Sequence, residues 1–347
     1  MGIRRRRVAG ASGRVSIEMN DGSRTSSALG GLALLATLVL LAGDAGAQAP
    51  RRPYRIGVLN EAWAANHPTV EGLKAGLREL GFEEGRDVTF DIRFTEGNPQ
   101  ATPVAAAALV KAGFDLIFTS NEAATQAAKA ATQRLPIVFT LVGDPVAAGI
   151  VTKLAQPGGN LTGVSSLTTE LVPKRLEALK TLMPTVRRVW AIYYADDPSS
   201  IAAVQKAQET APRLKLGLLA RPVRTPAELE RVLQDIQPGD ALLPPDIATM
   251  DIPAVMLEVS LSSRVPAVFP AALWVGHGGL VSYGSDYHAQ GVQAARLVAK
   301  ILRGARPQDL PVEGADKIDL AVNLKTAALL GVTVPRKVLL RADMLRR

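Results

Sequence analysis

The side chains able to carry covalent or metal chemistry are few in this chain, and they are scattered. It contains no cysteine, which removes a thiol nucleophile, a disulfide scaffold, an iron–sulfur cluster and every Cys-based zinc site. Its three histidines, His67, His277 and His288, lie far apart with no H-E-x-x-H spacing, so no histidine metal centre is expected. A nucleophile elbow G-x-S-x-G, a phosphate loop G-x-x-x-x-G-K-[ST] and a dinucleotide fingerprint G-x-G-x-x-G after a strand are all absent. His277-Gly278-Gly279-Leu280 shares the HGG part of a hydrolase oxyanion loop, but without an elbow a glycine-rich hinge accounts for it better. No cofactor is implied. Polar residues instead follow directly on apolar runs, as Asn60 and Glu61, Ser120 and Asn121, and Asp246 do. With no catalytic constellation in view, the chain reads as a binder rather than an enzyme.

The elements that position these residues alternate between two periods. Tyr54–Asn60 is a short apolar run ending in a polar residue, as a buried parallel strand would be. Thr69–Leu80 places Val70, Leu73, Leu77 and Leu80 on one helical face, and Gly81 stands where a helix stops. The same unit recurs. Strand-like runs are expected at Val88–Phe94, Phe114–Thr119, Ile137–Leu141, Leu161–Ser166, Val189–Tyr194, Leu214–Leu219, Ala241–Leu243, Ala267–Phe269 and Leu280–Tyr283. Helical patterns between them include Ala101–Ala112, Glu122–Gln133, Glu170–Met183, Ser199–Ala211, Pro226–Ile236 and Ile252–Ser263. Repeated strand–helix pairs predict open α/β sheets with right-handed crossovers. So many strands over 347 residues point to two doubly wound sheets rather than one. The turn cluster Pro157-Gly158-Gly159-Asn160 marks the expected break, and a second crossing is expected near Gly276–Gly284, before a helix at Asp286–Arg303.

A formal charge of +8 raises the question of a polyanionic partner. Part of it lies in a leader. Arg4 to Arg7 are basic, Ala28–Gly43 is free of charge, and Ala45-Gly46-Ala47 is a small-x-small site. Together these describe a secretory signal peptide over 1–47, whereas a membrane anchor needs about 20 apolar residues. Cleavage is expected after Ala47, because a cut after Ala49 would leave Pro50 just beyond it. Met19 is an alternative start, since a complete signal follows it. Leu40-Leu41-Ala42-Gly43 resembles a lipoprotein box with Asp44 where the lipidated Cys must stand, so a periplasmic protein without a lipid anchor is expected. Removing 1–47 leaves a surplus of +5 with no Lys/Arg-rich run beyond Arg51-Arg52. With aromatic residues at 4%, nucleic acid is not an expected partner.

The run Asp144-Pro145-Val146-Ala147-Ala148-Gly149-Ile150-Val151, continued by Leu154-Ala155-Gln156-Pro157-Gly158-Gly159-Asn160-Leu161-Thr162-Gly163, carries a resemblance. So do Gly76-Leu77-Arg78-Glu79-Leu80-Gly81-Phe82, Lys174-Arg175-Leu176-Glu177, Gly278-Gly279-Leu280-Val281-Ser282-Tyr283-Gly284, Asp309-Leu310-Pro311-Val312-Glu313, Asn323-Leu324-Lys325-Thr326-Ala327 and Arg341-Ala342-Asp343. Over 54–347 the chain resembles the ABC transporter substrate-binding proteins of the tryptophan/tyrosine-binding type. The resemblance implies a type I periplasmic binding protein fold, two Rossmann-like lobes joined by a three-strand hinge. Lobe one would be 54–165 with 283–304, and lobe two 166–282 with 305–347. The implied partners are a small-molecule ligand and an inner-membrane ABC permease with its ATPase, the mature protein being a soluble monomer. A sensory protein feeding a membrane receptor is the alternative, which neighbouring genes for a permease and an ATPase would decide.

In such a fold ligand sits at the C-terminal ends of the strands, facing the cleft. That rule nominates Asn60, Glu61 and Trp63 after the first strand, and Ser120 and Asn121 at the start of a helix, whose free N–H groups suit a carboxylate. Ser120 serves equally as a plain N-cap. Gly143 follows the fourth strand, with Asp144 shaping the turn. In lobe two Tyr194, Asp196 and Asp246 are nominated; Asp246 either pairs with a ligand ammonium or is a solvated loop residue. Trp274 and Tyr283 form either an aromatic wall or hinge packing. Trp190 is read as core, and His277 and His288 receive no role. Relative to the pattern of aromatic amino-acid binders, Trp63 stands in place of a small polar loop and Ala271-Ala272 in place of an acidic residue. The expected ligand is therefore drawn broadly, as an amino acid or an aromatic acid or amide.

Overall fold

The computed structural model describes residues 52–61, 66–247 and 249–347; the leader, Asp44 and Trp63 lie outside them. Six parallel strands form the first sheet: β1 (Tyr54–Asn60), β2 (Val88–Phe94), β3 (Leu116–Ser120), β4 (Ile137–Val142), β5 (Leu161–Ser165) and β11 (Glu313–Gly314). Their order is β2-β1-β3-β4-β5-β11. The order reverses between β1 and β3, and such a switch point opens a crevice at the strands' C-terminal ends. Helix α1 (Pro68–Glu79) and the later α9 (Tyr287–Leu302) cover one face, while α2 (Ala101–Lys111) and α3 (Glu122–Ala131) cover the other. Successive side chains of a strand point to opposite faces. Leu116 and Phe118 therefore join Leu73, Leu77 and Val298 on one side, and Ile117 joins Leu109 and Ala124 on the other.

The second half repeats the scheme. Strands β6 (Arg188–Tyr194), β7 (Gly217–Val223) and β8 (Asp240–Leu242) pair in the order β7-β6-β8. A parallel bridge from Leu242 to Ala267 continues them into β9 (Val268–Phe269), β10 (Val281–Ser285), β12 (Ile318–Asn323) and β13 (Met344–Arg346). Only β12 runs antiparallel to its neighbour β10. Helices α4 (Val172–Leu182) and α5 (Pro198–Thr210) bury Leu176, Leu179 and Ala207 on one face; α6 (Pro226–Leu233) and α7 (Ile252–Ser262) bury Leu229 and Met256 on the other. Trp190 is core, its indole N–H donating to Asp240 Oδ2 at 2.8 Å. Short helices α8 (Ala272–Gly276), α10 (Leu324–Leu329) and α11 (Arg336–Leu339) complete the chain. This is the two-lobed α/β architecture read from the alternation.

The chain passes between the halves after β5, between β10 and α9, and between β11 and β12. These passages are stitched together: Ala315 N donates to Ser165 O at 2.9 Å and Asp286 N to Lys317 O at 3.1 Å. The second passage comes after Ser285, beyond the glycines 276–284 that suggested it. Two of those glycines serve packing, since a Cβ on Gly279 would lie 2.8 Å from the Phe269 ring and one on Gly284 1.6 Å from Pro270 O. Tyr283 therefore belongs to the second sheet, and because β11 pairs with β5 the stretch 305–314 stays with the first.

Candidate functional site

Residues that end or follow β1, β3 and β8 and residues of α7, α8 and α9 line one cavity of about 430 Å³, well within the range of small-ligand sites. Lobe one presents Asn60, Ser120, Asn121, Leu141, His67 and Tyr287; lobe two presents Asp246, Asp251, Glu258, Leu257, Leu273, Trp274 and His277 among others.

Lobe one's polar wall is built by short-range demands of the backbone. Asn121 N-caps α3, its Oδ1 accepting from Ala124 N at 3.0 Å, and its Nδ2 donates to Glu61 Oε2 at 2.8 Å. Glu61 is 2% exposed and also accepts from Thr102 Oγ1 at 3.1 Å. Burial raises the Glu61 carboxyl above its ordinary range, and the bonds from Asn121 and Thr102 oppose that rise. Ser120 Oγ donates to Asn60 Oδ1 at 3.0 Å. Asn121 adopts φ 82°, ψ 171°, a region that glycine ordinarily occupies and that costs about 1–3 kcal/mol. Leu141 also has a positive φ, 56°, at the point where the β4–β5 register slips. Two strained residues on one cavity wall are characteristic of a site selected for contact rather than stability.

Across the cavity, Asp246 is held by both lobes. Tyr287 OH donates to Oδ1 at 2.5 Å from lobe one, and Thr168 Oγ1 donates to Oδ2 at 2.6 Å. The guanidinium of Arg175, buried in α4, bonds the Thr168 carbonyl and faces Asp246; desolvation lowers its pKa to about 10, so it stays charged. Burial and the neighbouring Asp246 push the Tyr287 phenol well above its ordinary value, fixing it as a donor. His67 caps α1 and stacks on Tyr287 with ring centroids 5.8 Å apart. Burial lowers its pKa to about 4, leaving the ring neutral near pH 7. The wall carries Asp246, Asp251 and Glu258 but, among the described residues, no Lys or Arg. Trp274, stacked on Phe269 at 5.9 Å, supplies an apolar face with Leu257 and Leu273. Among the described residues no group of acids and histidines is arranged to hold a metal ion.

The profile of the ABC transporter substrate binding protein family matches residues 63–345. The chain belongs to that family. Its members bind solute and are not enzymes. A tyrosine-binding protein of Clostridioides difficile (strain R20291) is 27% identical over 266 residues, spanning 75% of this chain and 76% of the relative. Among solved structures, an ABC domain in complex with L-Trp from Streptococcus pneumonia matches with TM-score 0.75 and 28% identity over 84% of this chain and 99% of that one. A ligand-free, open substrate binding protein with adhesive properties from Clostridium difficile matches with TM-score 0.64 and 25% identity over 84% and 99%.

In this substrate-binding protein the cavity gathers Asn60, Ser120, Asn121, Asp246 and Trp274 from the residues nominated by sequence. Glu61 stands directly behind Asn121. Gly143 sits at the junction of the lobes, where a Cβ would approach Ser199 Cβ to 3.2 Å, so its smallness serves contact between lobes. Three nominees lie elsewhere. Tyr194 packs on the α6/α7 core, Asp196 pairs with Arg224 on the surface, and Tyr283 lines a separate small hollow beside Lys174. Tyr287, His67, His277, Asp251 and Glu258 were not foreseen as lining. Tyr287 had a usable signal, being the first residue of a helix directly after a crossing.

Proposed function

We propose that this protein is the exported solute-binding component of an ABC importer and that it holds an amino acid with a large apolar or aromatic side chain between its lobes. One observation carries the ligand class: the cavity wall is acidic without a cation. A simple anion would meet the carboxylates of Asp246, Asp251 and Glu258 there with no Lys or Arg on the wall to receive it, whereas an ammonium group gains a partner in Asp246. The ligand carboxylate would be received at the start of α3 by Ser120 and Asn121, and its side chain would lie on Trp274, Leu257 and Leu273. The names of the tyrosine-binding and L-Trp-bound relatives support the same class.

At comparable identity the chain resembles the L-Trp complex more than the open form, and hydrogen bonds already join the lobes. Both observations support reading the lobes as drawn together. Lobe one would comprise β1–β5 with α9 and β11, and lobe two the remainder. Hinge closure would present one shape to an inner-membrane permease with its ATPase. The leader 1–47 and Asp44 at the lipobox position support delivery to the periplasm as a lipid-free, soluble monomer.

A thermal-shift panel tests the reading. L-tryptophan, L-tyrosine and L-phenylalanine are expected to raise the melting temperature, since ligand at 100 times Kd stabilises by about 2.7 kcal/mol. Indole-3-propionate, which lacks the ammonium, is expected to give little shift. No shift with any amino acid at millimolar concentration, or an equal shift with indole-3-propionate, would overturn it.

A further inference from the structure

At the base of the cleft, two carboxyl groups from opposite lobes meet. Glu122 lies in the first turn of α3 in lobe one, and Asp197 is the N-cap of α5 in lobe two, its Oδ2 accepting from Ser200 N at 2.9 Å. Both side chains line one small pocket with Gly143, Ser199 and Asp246. Ser199 completes the contact: its Oγ donates to Glu122 Oε2 and accepts from Asp144 N at 3.2 Å. Among the described residues lining that pocket there is no Lys or Arg. Glu61 after β1 and Asp144 after β4 face the pair from lobe one, and Asp246 after β8 faces it from lobe two. The one cation lining the adjoining small cavity, Arg175, is engaged with the Thr168 carbonyl and Asp246. Two carboxylates crowded into one desolvated pocket cannot both ionise freely, so one must keep its proton.

We propose that Glu122 and Asp197 are a positioning pair for ligand capture, sharing one proton when the lobes are together and separating into solvent as two carboxylates when they open. Closure therefore takes up a proton. Desolvation raises both carboxyls, that of Glu122 to about 8 with Asp197 as the next cause, and the retained proton belongs to the pair. The sign follows from linkage: the closed form binds the extra proton, so closure is favoured as pH falls. The window runs from about 8 down to the ordinary carboxyl value of 4.5. Within it the closed-to-open ratio changes by up to about tenfold per pH unit, as for any one-proton linkage.

This inference rests on the lobes moving, not on which ligand they close over, so its test uses ligand-free protein and its failure is distinct from a failed ligand panel. The cysteine-free sequence permits one dye on each lobe, through Val104→Cys and Leu340→Cys at positions 70% and 76% exposed. Energy transfer between the dyes is followed from pH 5.5 to 8.5. The expected result is a shift toward the open distance as pH rises in the otherwise native chain, and a pH-independent closed distance in Glu122→Gln, which keeps an acceptor for Ser199. Asp197→Asn, still a competent N-cap, serves as the second variant should Glu122→Gln misfold, and is expected to flatten the profile likewise. A flat profile in the native chain, or a slope that survives in both variants, overturns the proposal.

Discussion

Replacing Asp246 by Asn separates charge from shape at the centre of the cleft. In the native protein both oxygens are already oriented by Tyr287 and Thr168, so a ligand ammonium meets a carboxylate that needs no rearrangement. At about 3 Å and an effective dielectric near 20 the attraction is about 5 kcal/mol, against about 1 kcal/mol in bulk water. Desolvation of both ions takes back part of this, and removing one partner of such a pair costs about 2–5 kcal/mol. Asp246 is only half buried, which places the loss at the lower end, about 2–3 kcal/mol or roughly 30- to 150-fold in Kd. Calorimetric titration with L-tryptophan and with indole-3-propionate isolates the ammonium contribution. The native protein should favour L-tryptophan by that factor and Asp246→Asn should bind the two alike. The substitution also leaves the Arg175 guanidinium buried without its counter-charge, so unfolding of the unliganded variant is measured separately. Unchanged L-tryptophan affinity, or an equal loss for both compounds, would refute the pairing.

Trp274→Leu keeps an apolar filling against Phe269 but removes the stacking face; the preference for L-tryptophan over L-leucine should fall by about 0.5–1.5 kcal/mol in paired titrations. His67 is held neutral down to about pH 4 in the folded state, whereas an unfolded histidine titrates near 6.5. The unfolded chain therefore binds more protons through that window, and stability must fall with falling pH by up to about 3 kcal/mol. His67→Asn retains a cap for Thr69 N and should remove this part of the decline, read from urea unfolding at pH 7 and 4.5.

Much of the fold could be read from the chain because its strands are apolar runs punctuated by turn residues. Tyr54–Asn60 and Val88–Phe94 are strands over the expected spans. The run expected at Leu214–Leu219 instead begins at Gly217, because Ala211–Leu214 closes a 3-10 turn and Lys215 takes φ 55°. It then continues through Arg221 and Pro222, which an edge strand tolerates. Strands β11 to β13 escaped notice, the first and last being too short to show a period and β12 carrying Asp319 within it. A topological rule points to residues that end or follow strands, and Asn60, Ser120, Asn121 and Asp246 among them do line the cavity. Tyr287 and Asp246 are 41 positions apart, and Glu122 and Ser199 are 77 apart. No local pattern announces a contact that only lobe apposition creates. Tyr194 and Asp196 also end or follow a strand but lie outside the cavity, the first packed on the α6/α7 core and the second paired with Arg224.

The late return of α9 to the first sheet bears on how the molecule assembles. Ile56, Val58, Leu73 and Leu77 are sealed by Ala294, Ala295, Leu297 and Val298, which come more than two hundred positions later in the chain. A growing polypeptide that has already produced β1 to β5 holds a sheet with one bare apolar face. It cannot complete that half until nearly the whole second half has been made. Such long sequence separation slows folding, and here it postpones the first lobe until the last. For a chain that emerges N-terminus first, the delay leaves the early segments without a complete core, and so uncommitted to the compact state, until the last third has been made.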